Sequence, residues 1–133
     1  MARKNLDQSL NAPKNSLIKF NVQIANKYKA GLSLKYLDDY LGDDLILSGI
    51  QQFHKLNKDG LTDREDFENI LKTNTSKNID WFFNYVIDSR EIIDYKIGNF
   101  SKTNDSITFS VKNKGVPLVP VPVFGIKDKQ IIF

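Results

Sequence analysis

Apolar positions along the chain recur every three to four residues up to about residue 88 and every second residue beyond it. The first period predicts helices and the second predicts strands. Ile18, Val22 and Ala25 continue through Tyr28 and Leu32, while Leu34, Leu37 and Leu41 repeat at helical spacing. Together they predict one amphipathic helix that ends at Gly42, a natural residue for the position just past a helix C-terminus. A second helix is expected after Asp43-Asp44, whose carboxylates suit a helix N-terminus, with Ile46, Ile50 and Phe53 on one face and the turn Asn57-Lys58-Asp59-Gly60 at its end. The third helix has the clearest start. Thr62-Asp63-Arg64-Glu65 reads as a capping box, Thr62 as N-cap and Glu65 at N3, leading into Phe67, Ile70 and Leu71. After the polar break Thr73-Asn74-Thr75-Ser76, the run Asn78-Ile79-Asp80-Trp81-Phe82-Phe83-Asn84-Tyr85-Val86 predicts a short fourth helix, so aromatic that it should plug a core or an interface.

Past Asp88, Tyr95-Lys96-Ile97 begins a strand, Ser106 to Lys112 alternates cleanly, and Asn113-Lys114-Gly115 is a turn signal. In Val116 to Phe124 the apolar residues alternate with prolines, which cannot donate to a ladder, so this run is expected at a sheet edge. Gln130-Ile131-Ile132-Phe133 looks like the start of a further strand, and a pattern that stops there suggests a chain cut from a longer one. The expected organisation is α+β: residues 1–16 a loop or disordered lead-in, residues 17–90 a helical subdomain, and residues 91–133 a partial antiparallel β unit.

Composition narrows the chemistry. The 133 residues, 41% of them hydrophobic, contain no cysteine and one histidine, His54. Disulfides, thiolate metal sites, a cysteine nucleophile and a zinc site of two or three histidines are thereby excluded from these residues. Apolar runs fall short of a membrane span, and the polar N-terminus does not open a signal peptide, so the expectation is a soluble species of the cytoplasm or the periplasm. The net charge of +3 hides an asymmetry: residues 1–35 carry seven basic and one acidic side chain, residues 36–94 six and thirteen, residues 95–133 six and two. Sixteen of the nineteen basic residues are lysines, scattered singly. That is a poor match for the continuous, arginine-rich stripe that nucleic acid requires, so neither nucleic acid nor a membrane is expected as a partner.

Two local motifs have plain structural explanations. Asn57-Lys58-Asp59-Gly60 followed by Asp66 has the rhythm of a calcium loop, but with Gly60 in the sixth position Lys55 takes the first, where a carboxylate is needed. A turn followed by a helix cap accounts for the same residues. His54, one residue past Phe53, reads as a surface residue near a helix end.

A longer series carries more. Tyr28-Lys29-Ala30-Gly31, then Leu37-Asp38-Asp39-Tyr40-Leu41-Gly42, then Leu61-Thr62-Asp63-Arg64-Glu65-Asp66-Phe67, then Ser76-Lys77-Asn78-Ile79-Asp80-Trp81-Phe82-Phe83 are followed in order by Asp94-Tyr95-Lys96-Ile97, Asn113-Lys114-Gly115 and Pro120-Val121-Pro122-Val123. This ordered series, over roughly residues 20–125, resembles the downstream part of the gluzincin zinc aminopeptidases, the family of alanyl and leucyl aminopeptidases and leukotriene hydrolases. It departs from the family at Lys29-Ala30, where lysine usually stands immediately before the glycine.

The resemblance implies the helical end of a thermolysin-like catalytic domain followed by part of an antiparallel β-sandwich. It also implies a parent protein that binds zinc and releases N-terminal residues from peptide substrates, with Tyr28 donating a hydrogen bond to the oxyanion formed when zinc-bound water attacks the amide. The family's His-Glu-x-x-His helix and third zinc ligand lie upstream of the matched region and have no counterpart in these residues, so the chain alone should be inactive. From spacing alone Tyr28 is instead a core tyrosine of an amphipathic helix. Two other functions stay open: a non-catalytic protein-interaction module, with the aromatic helix and the Pro-Val strand as docking surface, and a catalytically dead family member. In a fragment of a longer protein, exposed former-interface surface would favour self-association.

Overall fold

The computed structural model describes residues 7–42 and 44–131; the expectations that fall on residues 1–6, Asp43, Ile132 and Phe133, and on the side chains of Ala25 and Asp59, lie outside the described residues. The chain is α+β, a helical part followed by two small antiparallel sheets. A 3-10 turn, Lys14–Ser16, precedes a π-helical segment, Asn21–Ala25, which runs directly into α1, Asn26–Leu41. Next come α2, Leu45–Asp59, and α3, Arg64–Asn74, and then the aromatic π-helical segment Phe82–Ile87. Two strands, β1 (Tyr95–Lys102) and β2 (Ile107–Asn113), pair as a hairpin, and β3 (Ile126–Lys127) pairs with β4 (Gln130–Ile131).

The core is built on the aromatic segment. Ile79, Trp81, Phe82, Phe83 and Val86 are buried, against Leu37 and Leu41 of α1, Ile46 of α2, Leu71 of α3 and Val119 from beyond the hairpin. The aromatic run therefore plugs the core, in π-helical form. Gly42 adopts φ 71° and its amide donates to Asp38 O at 2.8 Å, the left-handed stop expected of a glycine past a helix end. Lys77 supplies a second stop to α1, its Nζ donating to the carbonyls of Tyr40 (2.7 Å) and Leu41 (3.0 Å).

Several sequence expectations shift. The capping box is present one residue later: Asp63 accepts from Glu65 N at 2.8 Å and Asp66 N at 3.1 Å, while Asp66 returns a carboxylate to Asp63 N at 3.0 Å. An ionised carboxylate is the better acceptor at a positive helix end, and the Thr62 hydroxyl donates instead to Asn57 Oδ1. Tyr28 and Leu32 do not share the core face with Leu37 and Leu41. Nine residues turn a helix through about 900°, which places Tyr28 opposite Leu37, and both Tyr28 and Leu32 are exposed. Ile50 is likewise exposed; α2 meets α3 through Gly49, where a Cβ would stand 2.6 Å from Leu71 Cδ2. The Pro-Val run is not a strand of a sheet. It packs on the helical core, with Pro117 and Val119 buried.

The hairpin is amphipathic. Ile97 faces Val111 and Phe100 faces Phe109, with a bulge at Gly98/Phe100 where Asn99 takes φ 32°. Without the extra residue Phe100 would fall on the opposite side, so the bulge keeps Ile97, Phe100, Ile107, Phe109 and Val111 on one face. Most of that face is exposed.

Stability should follow this division of the chain. Phe82→Ala is expected to cost about 3–5 kcal/mol in denaturant unfolding by leaving a cavity at the centre. Gly49→Val, which wedges α2 from α3, is expected to cost about 1–3 kcal/mol. Leu61→Ser, at a fully exposed position, should stay within about 0.5 kcal/mol of the parent chain.

Candidate functional site

A groove of about 650 Å³ opens between the N-terminal lead-in, α1, α3 and the aromatic segment. Its floor is apolar, including Leu34, Phe53, Phe67, Phe82 and Phe83, and its rim carries Asn11, Asn26, Lys27, Thr62, Asp63 and Arg64. The lead-in is fixed at this edge: the amides of Leu10 and Asn11 both donate to the Ile87 carbonyl, and Lys29 pairs with Asp7 at 3.0 Å. Arg64 is the fixed cation of the groove. Its Nη1 meets Glu68 at 2.8 Å, its Nη2 meets Asp88 at 2.7 Å, and its guanidinium lies 5.1 Å from the centre of the Phe83 ring. Lys72 extends the chain of charges, holding Glu68 and Asp80 at 2.7 Å each. Asp80, then Glu68, push the Lys72 ammonium pKa up from its ordinary value.

The charges thus run Asp88, Arg64, Glu68, Lys72, Asp80, and they tie both ends of the aromatic segment to α3. The alternation Arg64, Glu68, Lys72 at four-residue spacing was a legible signal that sequence reasoning missed. These carboxylates are committed to ion pairs, as those of Asp63 and Asp66 are to the α3 cap. Among the described residues no group of three or more histidine, aspartate or glutamate side chains could hold a metal ion, and His54 stands exposed on α2. The zinc that the family resemblance implies does not fit the residues present.

The structure places Tyr28 away from this groove. Its neighbours Asn26, Lys27 and Ala30 line the groove, whereas Tyr28 is 70% exposed on the far side of α1. It is therefore not the core tyrosine that spacing alone predicts.

Two other phenols do structural work that the sequence did not announce. The Tyr36 hydroxyl donates to the Pro120 carbonyl. The Tyr95 hydroxyl donates to Val119 O at 3.0 Å and accepts from Val119 N at 3.1 Å. Together they clasp the proline segment to the core beside Trp81, whose ring is 5.2 Å from that of Tyr36 and 5.5 Å from that of Tyr40. A notch of about 490 Å³ remains there, lined in part by Tyr40, Asp80, Tyr85 and Pro120. Burial, with the neighbouring Tyr95 second, raises the pKa of the Tyr36 phenol above its ordinary value.

Comparison with protein-family models, with curated proteins and with solved structures finds no match to this chain. Among the described residues no helix is long and apolar enough to cross a membrane.

The clasp gives two expected outcomes. Tyr95→Phe removes both bonds to Val119, so exchange of the Val119 amide proton, followed by NMR, should accelerate at least tenfold relative to the amides of α3. A raised folded-state pKa for a tyrosine contributes stability that is complete below its unfolded value of about 10 and is lost as pH climbs through the raised value. Unfolding free energy should therefore fall above a pH of about 10, and Tyr36→Phe should reduce that fall.

Proposed function

We propose that the chain is the downstream part, inactive alone, of a zinc aminopeptidase-like protein, comprising the helical end of a thermolysin-like domain and part of an antiparallel β-sandwich. In that arrangement it contributes one group to the chemistry, the Tyr28 phenol. The observation that carries the proposal is the position of Tyr28: 70% exposed on an outer face of α1, where a neighbouring polypeptide could meet it, rather than packed in the core. The ordered series of motifs from Tyr28-Lys29-Ala30-Gly31 to Pro120-Val121-Pro122-Val123 supports the same proposal. A phenol held on a rigid helix can donate to an oxyanion as charge develops on a scissile carbonyl, and donors of this kind gain strength once water is excluded. The role of the Tyr28 hydroxyl is to donate a hydrogen bond.

A second function, a non-catalytic interaction module, is favoured by the exposed apolar face of the hairpin, where Ile97 and Phe100 are each 66% exposed. A substitution separates the two. Joined to a zinc-carrying half, Tyr28→Phe should lower kcat on an aminoacyl-nitroanilide by about 10²–10³-fold with little change in KM. An unchanged kcat removes Tyr28 from the chemistry. The 133-residue chain alone should cleave no such substrate. One tightly bound zinc per chain, found by metal analysis, would contradict the proposal.

A further inference from the structure

We propose that the outer face of the helix continuing from the π-helical segment into α1 is a docking site for an amphipathic helix of another polypeptide, one whose apolar row is flanked by carboxylates. The proposal rests on reading the chain as part of a larger assembly and names the kind of element that would pack along the helix beside Tyr28.

Phe20, Ile24, Tyr28 and Leu32 recur at a strict four-residue interval, and they are 47%, 45%, 70% and 71% exposed. Over these thirteen residues they form a continuous ridge along the helix. Beside it runs the parallel row of Gln23, Lys27, Gly31 and Lys35, all exposed. Ridges at i±4 spacing pack into the matching grooves of a second helix at a crossing angle of about −50°. In the second row Gly31 has no side chain, and a Cβ there would meet nothing within 4 Å, so a partner's backbone can approach closely. Four large apolar side chains in one exposed row are more than the scattered exposure of an ordinary surface.

Charge selects the partner. No aspartate or glutamate lies between Asp7 and Asp38, whereas Lys14, Lys19, Lys27, Lys29 and Lys35 do. Of the two lysines in the row beside the ridge, Lys35 pairs with Asp39, while Lys27 makes no ion pair among the described residues. A second copy would bring lysines against lysines at this face, whereas an acidic-flanked helix brings carboxylates to Lys27 and Lys35.

The test uses the 133-residue chain and a fluorescein-labelled synthetic peptide, helical, with leucine at every fourth position and glutamates on either side of that row. A control peptide carries lysines in place of the glutamates. Fluorescence anisotropy should show saturable binding of the glutamate peptide, weakening as salt rises, and at least tenfold weaker binding of the lysine peptide. Leu32→Asp should reduce binding at least tenfold, and Lys27→Glu should narrow or reverse the preference between the two peptides. Both positions are exposed, so unchanged circular dichroism and melting would show that the variants still fold. Failure of the glutamate peptide to bind, equal binding of the two, or indifference to Leu32→Asp would overturn the proposal. So would sedimentation showing a dimer that Leu32→Asp dissociates, since a second copy would then occupy the face. No metal or substrate enters the measurement, so its failure would leave the role of Tyr28 standing, and failure of that role would leave the binding result intact.

Discussion

Burial of the aromatic run after α3 is the constraint on which the rest of the structure depends. Trp81, Phe82 and Phe83 are consecutive and all buried. Three successive helical residues fan over a wide arc around the axis, so one packing partner cannot cover them. α1 and α3 cover part of that arc and the proline segment with Val119 covers more, which explains why elements far apart in sequence converge here. Complete burial of side chains of this kind is worth about 1.5–3 kcal/mol each. The rings also meet edge to face, Phe82 standing 5.8 Å from Trp81 and 5.2 Å from Phe83 at nearly right angles. The charges from Asp88 to Asp80 bracket this core without filling it. Arg64 contributes through both its ion pairs and its contact with the Phe83 ring, so it cannot be counted as a surface ion pair alone.

What was legible in the sequence follows from how local each signal is. The stop at Gly42, the existence of a cap before Phe67, the aromatic plug and the change of period after Asp88 all rest on neighbouring residues, and all appear. The cap register was missed because Thr62 and Asp63 both qualify as N-caps, and only the competing bond from Thr62 to Asn57 separates them. Tyr28 was misplaced because apolar residues occupy more than one side of the α1 helix. Periodicity finds an apolar face without saying which apolar face is covered. The clasp of Tyr36 and Tyr95 on Val119 and Pro120 was invisible for a different reason: its partners are 24 and 84 residues apart, and no local pattern encodes such a meeting.

The proline segment shows how one composition can serve another purpose. Alternation of valine with proline pointed to a sheet edge, and the run forms no strand. Sheet pairing did not follow, because Pro117, Pro120 and Pro122 each lack a donor. The segment's polar groups are met by side chains instead, the Asn113 amide donating to Pro117 O at 2.8 Å and the two phenols serving Val119 and Pro120. Buried main chain without a ladder must find such partners, and tyrosines supply them from the apolar wall on which the segment packs.

Two of the uncovered apolar surfaces among the described residues differ in what supports them. The hairpin face is kept continuous by a bulge that returns Phe100 to the side of Ile97, and a two-stranded sheet gains little stability until such a face is covered. The ridge on α1 differs, because its helix is already anchored on the opposite side by Leu37 and Leu41 and by the Lys77 cap. Its outer residues are therefore free to answer to something other than the fold. A row of phenyl, isobutyl and phenol groups on that outer side adds nothing to the core of this chain. Its spacing, its lack of carboxylates and the open space at Gly31 suit contact with another helix, and the Tyr28 phenol would then lie at the boundary between the two.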